Sequence, residues 1–317
     1  MALESPERQL VVAILGATGT GKSELALSLA ARVGGSIISA DSMQVYRGMD
    51  IGTAKVPREK RRAIEHYLID VVGPTEDFSV AAYQVLARKA VEAVLGRQKL
   101  PIVVGGTGLY ARALLDGFEF IPHAPDHDLR ADLRSENEEE LRRRLRLCDP
   151  AAESGIAMHD VKRLIRSLEI ASQSDELPSE VRRRRSEVPW RVLRIGLLAE
   201  RADLYARLDA RVDAMVASGM ENEVRRLLAA GVTREHASMQ GIGYKEVSAW
   251  VCGEIDRDTA LLLWKRRTRS YAKRQETWFK RDLDVHWIHV SGNNSGTVLD
   301  EAVTLVNDTR SEKERPS

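Results

Sequence analysis

Between Gly16 and Ser23 the chain reads Gly-Ala-Thr-Gly-Thr-Gly-Lys-Ser. A glycine, four residues and then Gly21-Lys22-Ser23 is the spacing of a loop that cradles phosphates. Backbone N–H groups from Gly16, Ala17, Thr18, Gly19, Thr20 and Gly21 form a concavity for anionic oxygens, and a helix N-terminus behind them adds partial positive charge. Lys22 is placed to reach a terminal phosphate and Ser23 to ligate Mg²⁺. The loop alone marks nucleotide- and ATP-binding proteins in general. It does not say whether the phosphate is hydrolysed, passed on or released.

Asp41 follows a short apolar run. In a kinase or ATPase an aspartate at a strand end holds Mg²⁺ or takes a proton from an attacking hydroxyl. Asp-Ser is also good capping chemistry for a turn or helix. The run "LPIVV" should end in a second acidic residue if this were an ordinary phosphoryl-transfer site, but it ends in Gly105-Gly106-Thr107. Two glycines permit close backbone approach and Thr107 offers a hydroxyl to an oxyanion. Arg207 and Arg211 are four apart, so they project from one side of a helix. They read either as a solvated face or as guanidinium groups that grip phosphate oxygens bidentately.

These residues need elements to hold them. "QLVVAIL" (9–15) reads as a strand buried on both faces, and "KSELALSLAARVGG" as a helix stopped by Gly34-Gly35. "SIISADS", "LPIVVGG" and "WRVLRIGLLAE" supply further strands, and "DVHWIHV" an edge strand. "ERADLYARLDARVDAMVASGMENEVRRLL" reads as one helix, and the tail from Asn307 as frayed. Strands separated by helices predict an α/β fold: a P-loop-containing parallel sheet flanked by helices. Ligands in such sheets bind beyond the carboxyl ends of the strands, where the phosphate loop, Asp41 and Thr107 all lie. Residues 119–189 are charge-rich, helical in pattern and without strands. They read as a small helical insertion domain, entered through Pro122 and Pro125, with 1–118 and 190–317 as the core.

Composition narrows the partners. The chain has 317 residues, 43% hydrophobic and 30% charged, with a net charge of +1. That fits a soluble globular protein of about two domains. Two distant cysteines, Cys148 and Cys252, fit neither a disulfide framework nor a zinc site, and read as indifferent thiols in a reducing compartment. No leader pattern and no apolar run of membrane-spanning length is present, so a cytoplasmic location is expected. A neutral total forces any nucleic-acid surface into patches. Basic clusters occur at Arg142–Arg144 with Arg146, Lys162–Arg163 with Arg166, Arg182–Arg185, and Lys265–Arg281. In the last, Arg266, Arg269, Lys273 and Lys280 share one helical stripe, and Trp264, Tyr271 and Trp278 another. Clusters of this kind are commonly solvated; four in a nearly neutral chain point to an RNA or DNA surface.

Several stretches together resemble the tRNA dimethylallyltransferase (tRNA isopentenyltransferase) family. They are "GATGTGKSELA" (16–26), "SADSMQVYRGMDIGTAKV" (39–56), "VVGGTGLY" (103–110), "KRLIRSLEI" (162–170), "RLDARVDAMVASG" (207–219), "QGIGYKE" (240–246) and "TRSYAKRQETWFKR" (268–281). They run in family order over nearly the whole chain, and the second is highly specific. One departure is Ala157-Met158-His159-Asp160, where the family usually has His-Pro-Asn-Asp. With no cysteines or histidines spaced for a zinc finger, the chain resembles the bacterial form.

The resemblance implies that the loop holds the diphosphate of dimethylallyl diphosphate, which leaves, while N6 of the adenosine 3′ of the anticodon attacks the allylic carbon. It implies Asp41 as general base, and Lys22, Thr107, Arg211 and Mg²⁺ on Ser23 as charge stabilisers. It implies Ser42, Met43 and Gln44 as holders of a flipped adenine, with Asp41 and Thr107 also in contact with the tRNA. Further contacts to the anticodon stem-loop are implied for Arg130, for Lys162, Arg163, Leu164, Ile165 and Arg166, and for Gln240, Gly241, Ile242, Gly243, Tyr244 and Lys245. Lys273, Arg274, Gln275, Thr277 and Lys280 complete that set. A monomer without an obligate protein partner is expected. Rival readings are a P-loop small-molecule kinase, an adenylate (free nucleotide) isopentenyltransferase, and a non-catalytic RNA-binding protein.

Overall fold

The computed structural model describes residues 8–120, 126–281, 284–292 and 294–311. The chain divides into two compact units: Met1–Leu115 with Pro189–Ser317, and Asp116–Val188. Pro122 and Pro125, expected at the entry to the insertion, lie outside the described residues.

The first unit is built on β1 (Gln9–Gly16), α1 (Lys22–Val33), β2 (Gly35–Ser39), α2 (Arg58–Ala63), β3 (His66–Tyr67), α3 (Val80–Gly96), β4 (Leu100–Gly105) and α4 (Gly108–Leu115). The second unit contributes α5 (His127–Ser135), α6 (Glu138–Cys148), α7 (Pro150–Ser154), α8 (Val161–Gln173) and α9 (Pro178–Arg183). The first then resumes with β5 (Trp190–Ala199), α10 (Arg201–Ala217), α11 (Met220–Ala229), a 3₁₀ turn at Ala237–Gln240, α12 (Tyr244–Val251), α13 (Arg257–Phe279), β6 (Val285–Val290) and α14 (Ser295–Ser311).

The sheet is six-stranded in the order β3-β2-β4-β1-β5-β6, with every pairing parallel. β1 is buried at every residue after Gln9, as a central strand covered on both faces must be. Val12 and Ile14 join Leu25 and Leu29 of α1 and Val298, Ala302 and Val306 of α14 in the main core. From β1 the chain runs to β2 on one side and returns through β4. It later leaves to β5 on the other side, so the order reverses beside β1. That reversal opens a crevice at the carboxyl end of β1, where ligands bind in sheets of this kind.

α1 starts on Gly21 and stops at Gly34, both in the left-handed region. The stretch from Arg201 to Leu228, expected as one helix, is two: Gly219, at φ 96°, ends α10 and starts α11. The strand β3 and the helix α14 were not anticipated. β3 is only two residues long, and residues 307–311, expected as frayed tail, are the last turn of α14. Cys148 and Cys252 are both exposed and unbonded. Among the described residues no helix is long and apolar enough to cross a membrane.

The second unit packs Leu133, Leu141, Leu145, Leu164, Ile165 and Leu168 into its own core. Glu169 is buried within it. Burial opposes its charge, but Arg130 at 2.8 Å, Arg166 and the Asp126 N–H at 2.8 Å outweigh that and push its pKa down to about 2. Arg142 binds Glu138 and Glu153, Arg143 binds Glu140, Arg144 binds Glu136, and Arg146 binds Glu153. This basic cluster, expected to face nucleic acid, is therefore neutralised within its own unit. The Ala157–Asp160 turn has a local job as well. The His159 N–H donates to Glu138 at 2.9 Å, and Asp160 caps α8.

Candidate active site

At the crevice beside β1 lies a cavity of about 670 Å³. Its walls come from the phosphate loop, the segment after β2, the end of β4, α10, the 3₁₀ turn and α13. All of these belong to the first unit.

The phosphate loop is folded by its glycines. Gly19 has φ +83°, and a Cβ there would stand 2.7 Å from Leu208 of α10. Thr20 donates to Ala17 through its hydroxyl at 2.9 Å. Lys22 is buried and donates from Nζ to the Ala17 carbonyl at 2.7 Å. Burial lowers its pKa to about 7; the Asp41 charge opposes the shift and the Arg211 charge adds to it. Ser23 is exposed on the cavity wall. Two expected members of the cradle are spoken for: the Thr18 N–H donates to Gln275 at 2.8 Å and the Thr20 N–H to the Ala17 carbonyl at 3.4 Å.

Asp41 serves the capping role its sequence context offered, and its second oxygen is left over. Its Oδ1 accepts from the N–H groups of Met43 at 2.8 Å and Gln44 at 3.3 Å, closing the turn after β2. Among the described residues Oδ2 has no hydrogen-bond partner, and Asp41 borders the cavity with Ser42, Met43 and Gln44. Thr107 does not line the cavity. It stands behind the turn, its Oγ1 accepting from the Ser42 N–H at 3.2 Å, with the Tyr271 hydroxyl in hydrogen-bond contact. Gly105 is held so close to β2 that a Cβ would meet the Ala40 carbonyl oxygen at 2.1 Å.

Arg207 and Arg211 both reach the cavity from α10. Burial lowers the Arg211 pKa, and the Asp41 charge works against that shift. Among the described residues Arg211 makes no ion pair. Its neighbour on the same helix, Asp209, is instead taken by Arg269, and Asp213 by Lys265. Both Lys265 and Arg269 come from the α13 basic run, which is thereby partly consumed.

Other expected RNA contacts are placed differently. Leu164, Ile165 and Tyr244 are buried core side chains and Gly243 is buried too, so none presents a side chain to a ligand. Arg130 and Arg166 are committed to Glu169. Gln275 points inward. Gln240, Lys245, Lys162, Arg163, Lys273, Arg274, Thr277 and Lys280 are exposed, with Arg163 paired to Asp160 and Lys280 to Glu276. Gly241 and Ile242 border the cavity, and a Cβ on Gly241 would lie 2.5 Å from Met43.

Two supports escaped the sequence reading. Glu223, buried on α11, accepts from the N–H groups of Asp50, Ile51 and Gly52 at 2.9–3.2 Å and from the Tyr244 hydroxyl at 2.6 Å. It fixes the stretch leading to Thr53, which lines the cavity. Lys55 binds Asp50 at 2.8 Å and Asp70 at 2.6 Å, steadying the same stretch. Tyr271 and Gln275, one turn apart on α13, face the site. Their spacing was visible, but which face of α13 meets the strand ends was not.

The sequence model for IPP transferases matches residues 44–282. A tRNA dimethylallyltransferase from Moorella thermoacetica is 45% identical over 294 residues, covering 89% of this chain and 90% of that protein. The solved tRNA isopentenylpyrophosphate transferase of Bacillus halodurans superposes with a TM-score of 0.72 at 36% identity, covering 98% of this chain and all of the other. A eukaryotic dimethylallyltransferase solved acting on tRNA gives 0.84 at 29% identity, over 97% of this chain and 80% of its own. Matches of this breadth run through the cavity's loops and through both units; the chain belongs to the IPP transferase family.

Proposed function

We propose that this chain transfers a dimethylallyl group from dimethylallyl diphosphate to N6 of the adenosine 3′-adjacent to the anticodon in tRNA, releasing diphosphate. One observation carries the reading: Asp41, Lys22 and Arg211 line the same cavity, a carboxylate together with two cations.

The adenine N6 amine is a weak nucleophile. It attacks C1 of the allylic donor, the C1–O bond breaks, the electron pair leaves on diphosphate, and the N6 proton passes to Asp41 Oδ2. Oδ1 stays on the turn and fixes the carboxylate's direction. Charge building on the departing diphosphate is met by the Lys22 and Arg211 side chains and the loop N–H groups of Gly19, Gly21 and Lys22. Thr107 acts through Ser42 by holding the turn. Mg²⁺, when bound, supplies further neutralisation of the diphosphate. Ser23 is the protein oxygen that would hold it, beside the diphosphate oxygens and water. A hard oxygen donor set of that kind suits Mg²⁺. Among the described residues no group of three or more His, Cys, Asp or Glu could hold a metal ion. Exposed Lys162, Arg163, Gln240, Lys245, Lys273, Arg274 and Thr277 are the side chains offered to the anticodon stem-loop. Phosphate contacts there give affinity, and base contacts give selectivity.

Incubation with labelled dimethylallyl diphosphate, Mg²⁺ and unmodified tRNA, without ATP, tests this. Label is expected in tRNA as N6-dimethylallyladenosine. Label on free adenylate, or ATP turnover with no label in tRNA, would return the chain to the other readings.

The lowered Lys22 pKa has a sign that can be checked. Below about pH 7 the free protein carries a charged Lys22; above it the charge is lost. Affinity for diphosphate should fall by about tenfold per pH unit above 7, relative to a Lys22→Arg variant that stays charged throughout. Calorimetry with inorganic diphosphate from pH 6 to 9 measures the ratio. A ratio flat with pH would refute the assignment of Lys22 to the diphosphate.

A further inference from the structure

Gln275 was expected at the RNA surface, yet its side chain is buried on the inner side of α13, only 6% exposed. Its Oε1 accepts from the Thr18 N–H at 2.8 Å, and its Nε2 donates to the Gly106 carbonyl at 2.8 Å. A primary amide offers a donor and an acceptor from one planar group, which is what two backbone groups of opposite polarity require. Space is reserved for it: a Cβ on Gly106 would stand 2.2 Å from Nε2. One turn earlier, Tyr271 is in hydrogen-bond contact with both Thr107 and Gln275, and Thr107 accepts from the Ser42 N–H. The loops after β1, β2 and β4 are thus tied together from a single helix. The outer side of that helix carries exposed Lys273 and Thr277, while Arg274 is exposed yet also borders the cavity.

We propose that Gln275 is a positioning residue that sets the shape of the diphosphate cradle by clamping Thr18 to Gly106, and that it makes no contact with RNA. The proposal rests on reading the loop as a diphosphate cradle. With the clamp in place the Thr18 N–H faces Gln275. Without it, that N–H is left seeking a partner, and the loop loses its fixed relation to the turn that carries Thr107.

The test compares Gln275→Met, Gln275→Asn and Lys273→Ala with the wild-type chain. Two affinities are measured: Mg²⁺ with inorganic diphosphate by calorimetry without RNA, and unmodified tRNA by filter binding. Gln275→Met should weaken diphosphate binding by about tenfold or more, the scale of a buried polar group left unpaired. Its tRNA affinity should stay within about twofold. Lys273→Ala, which does not line the cavity, should show the reverse. Gln275→Asn keeps the amide and adds no charge but is one methylene too short to span Thr18 and Gly106, so it too should lose diphosphate affinity; it decides the matter if the Met variant does not fold. Diphosphate binding unchanged in a folded variant, or tRNA binding lost in step with it, would overturn the proposal. Absence of prenyl transfer by the wild-type chain would count against the function and not against the clamp.

Discussion

Asp41→Asn should slow prenyl transfer to tRNA by about 10²–10⁴-fold, the range a positioned general base supplies. Its affinities for tRNA and for diphosphate should hardly change. The reasoning turns on the two oxygens. Oδ1 holds the turn through Met43 and Gln44, and an asparagine oxygen can do the same. Oδ2 is the free acceptor, and an amide nitrogen in its place cannot take a proton. Asp41→Ala removes both functions and should add a loss of stability of about 1 kcal/mol, as cap removal does. Single-turnover rates with labelled donor, beside urea denaturation, separate the two effects. An Asn variant with near-normal rates would leave Asp41 as a cap alone.

Arg211→Ala should lower the transfer rate by about 10²–10³-fold, as loss of one preorganised oxyanion partner does, and raise the KM for the prenyl diphosphate. The same change should make the protein more stable. Arg211 is a partly buried guanidinium that has no carboxylate in contact among the described residues, a costly arrangement for the fold. Lysines and arginines around it are treated otherwise: Arg269 has Asp209 and Lys265 has Asp213. A cation withheld from its neighbours' carboxylates fits a ligand that brings its own negative charge. Thermal unfolding with and without Mg²⁺ and diphosphate reads the balance. The variant should unfold at a higher temperature than wild type when both are free, and should gain less from the ligand. A variant that is both active and less stable would contradict this role.

What could be read from the sequence was whatever is local. The phosphate loop, its strand and its helix are encoded within 25 consecutive residues, 9–33, by burial pattern and glycine placement. Asp41 and Gly105-Gly106-Thr107 declared themselves because strand ends in a parallel sheet share one edge. What stayed hidden depends on which helix face turns inward. Tyr271 and Gln275 lie in a run of cations, and nothing local says that their side of α13 meets the strand ends. Glu223 looks like any acid on an amphipathic helix until the Asp50–Gly52 N–H groups are brought to it from about 170 positions earlier. Arg142–Arg146 looked like a nucleic-acid patch because glutamates three to eleven residues away were read as separate charges, while the fold pairs them.

That pairing has a thermodynamic consequence for association with a polyanion. An arginine already holding a carboxylate cannot neutralise a phosphate without giving up its partner, so it displaces few condensed counterions when nucleic acid arrives. Of the 48 lysines and arginines in the chain, those of the Arg142–Arg146 group contribute little to the ion release that makes such complexes salt-sensitive. The slope of log affinity against log salt concentration should therefore reflect the few exposed cations such as Lys162, Lys273 and Arg274. The complex will hold across a wider span of ionic strength than the basic content of its sequence implies.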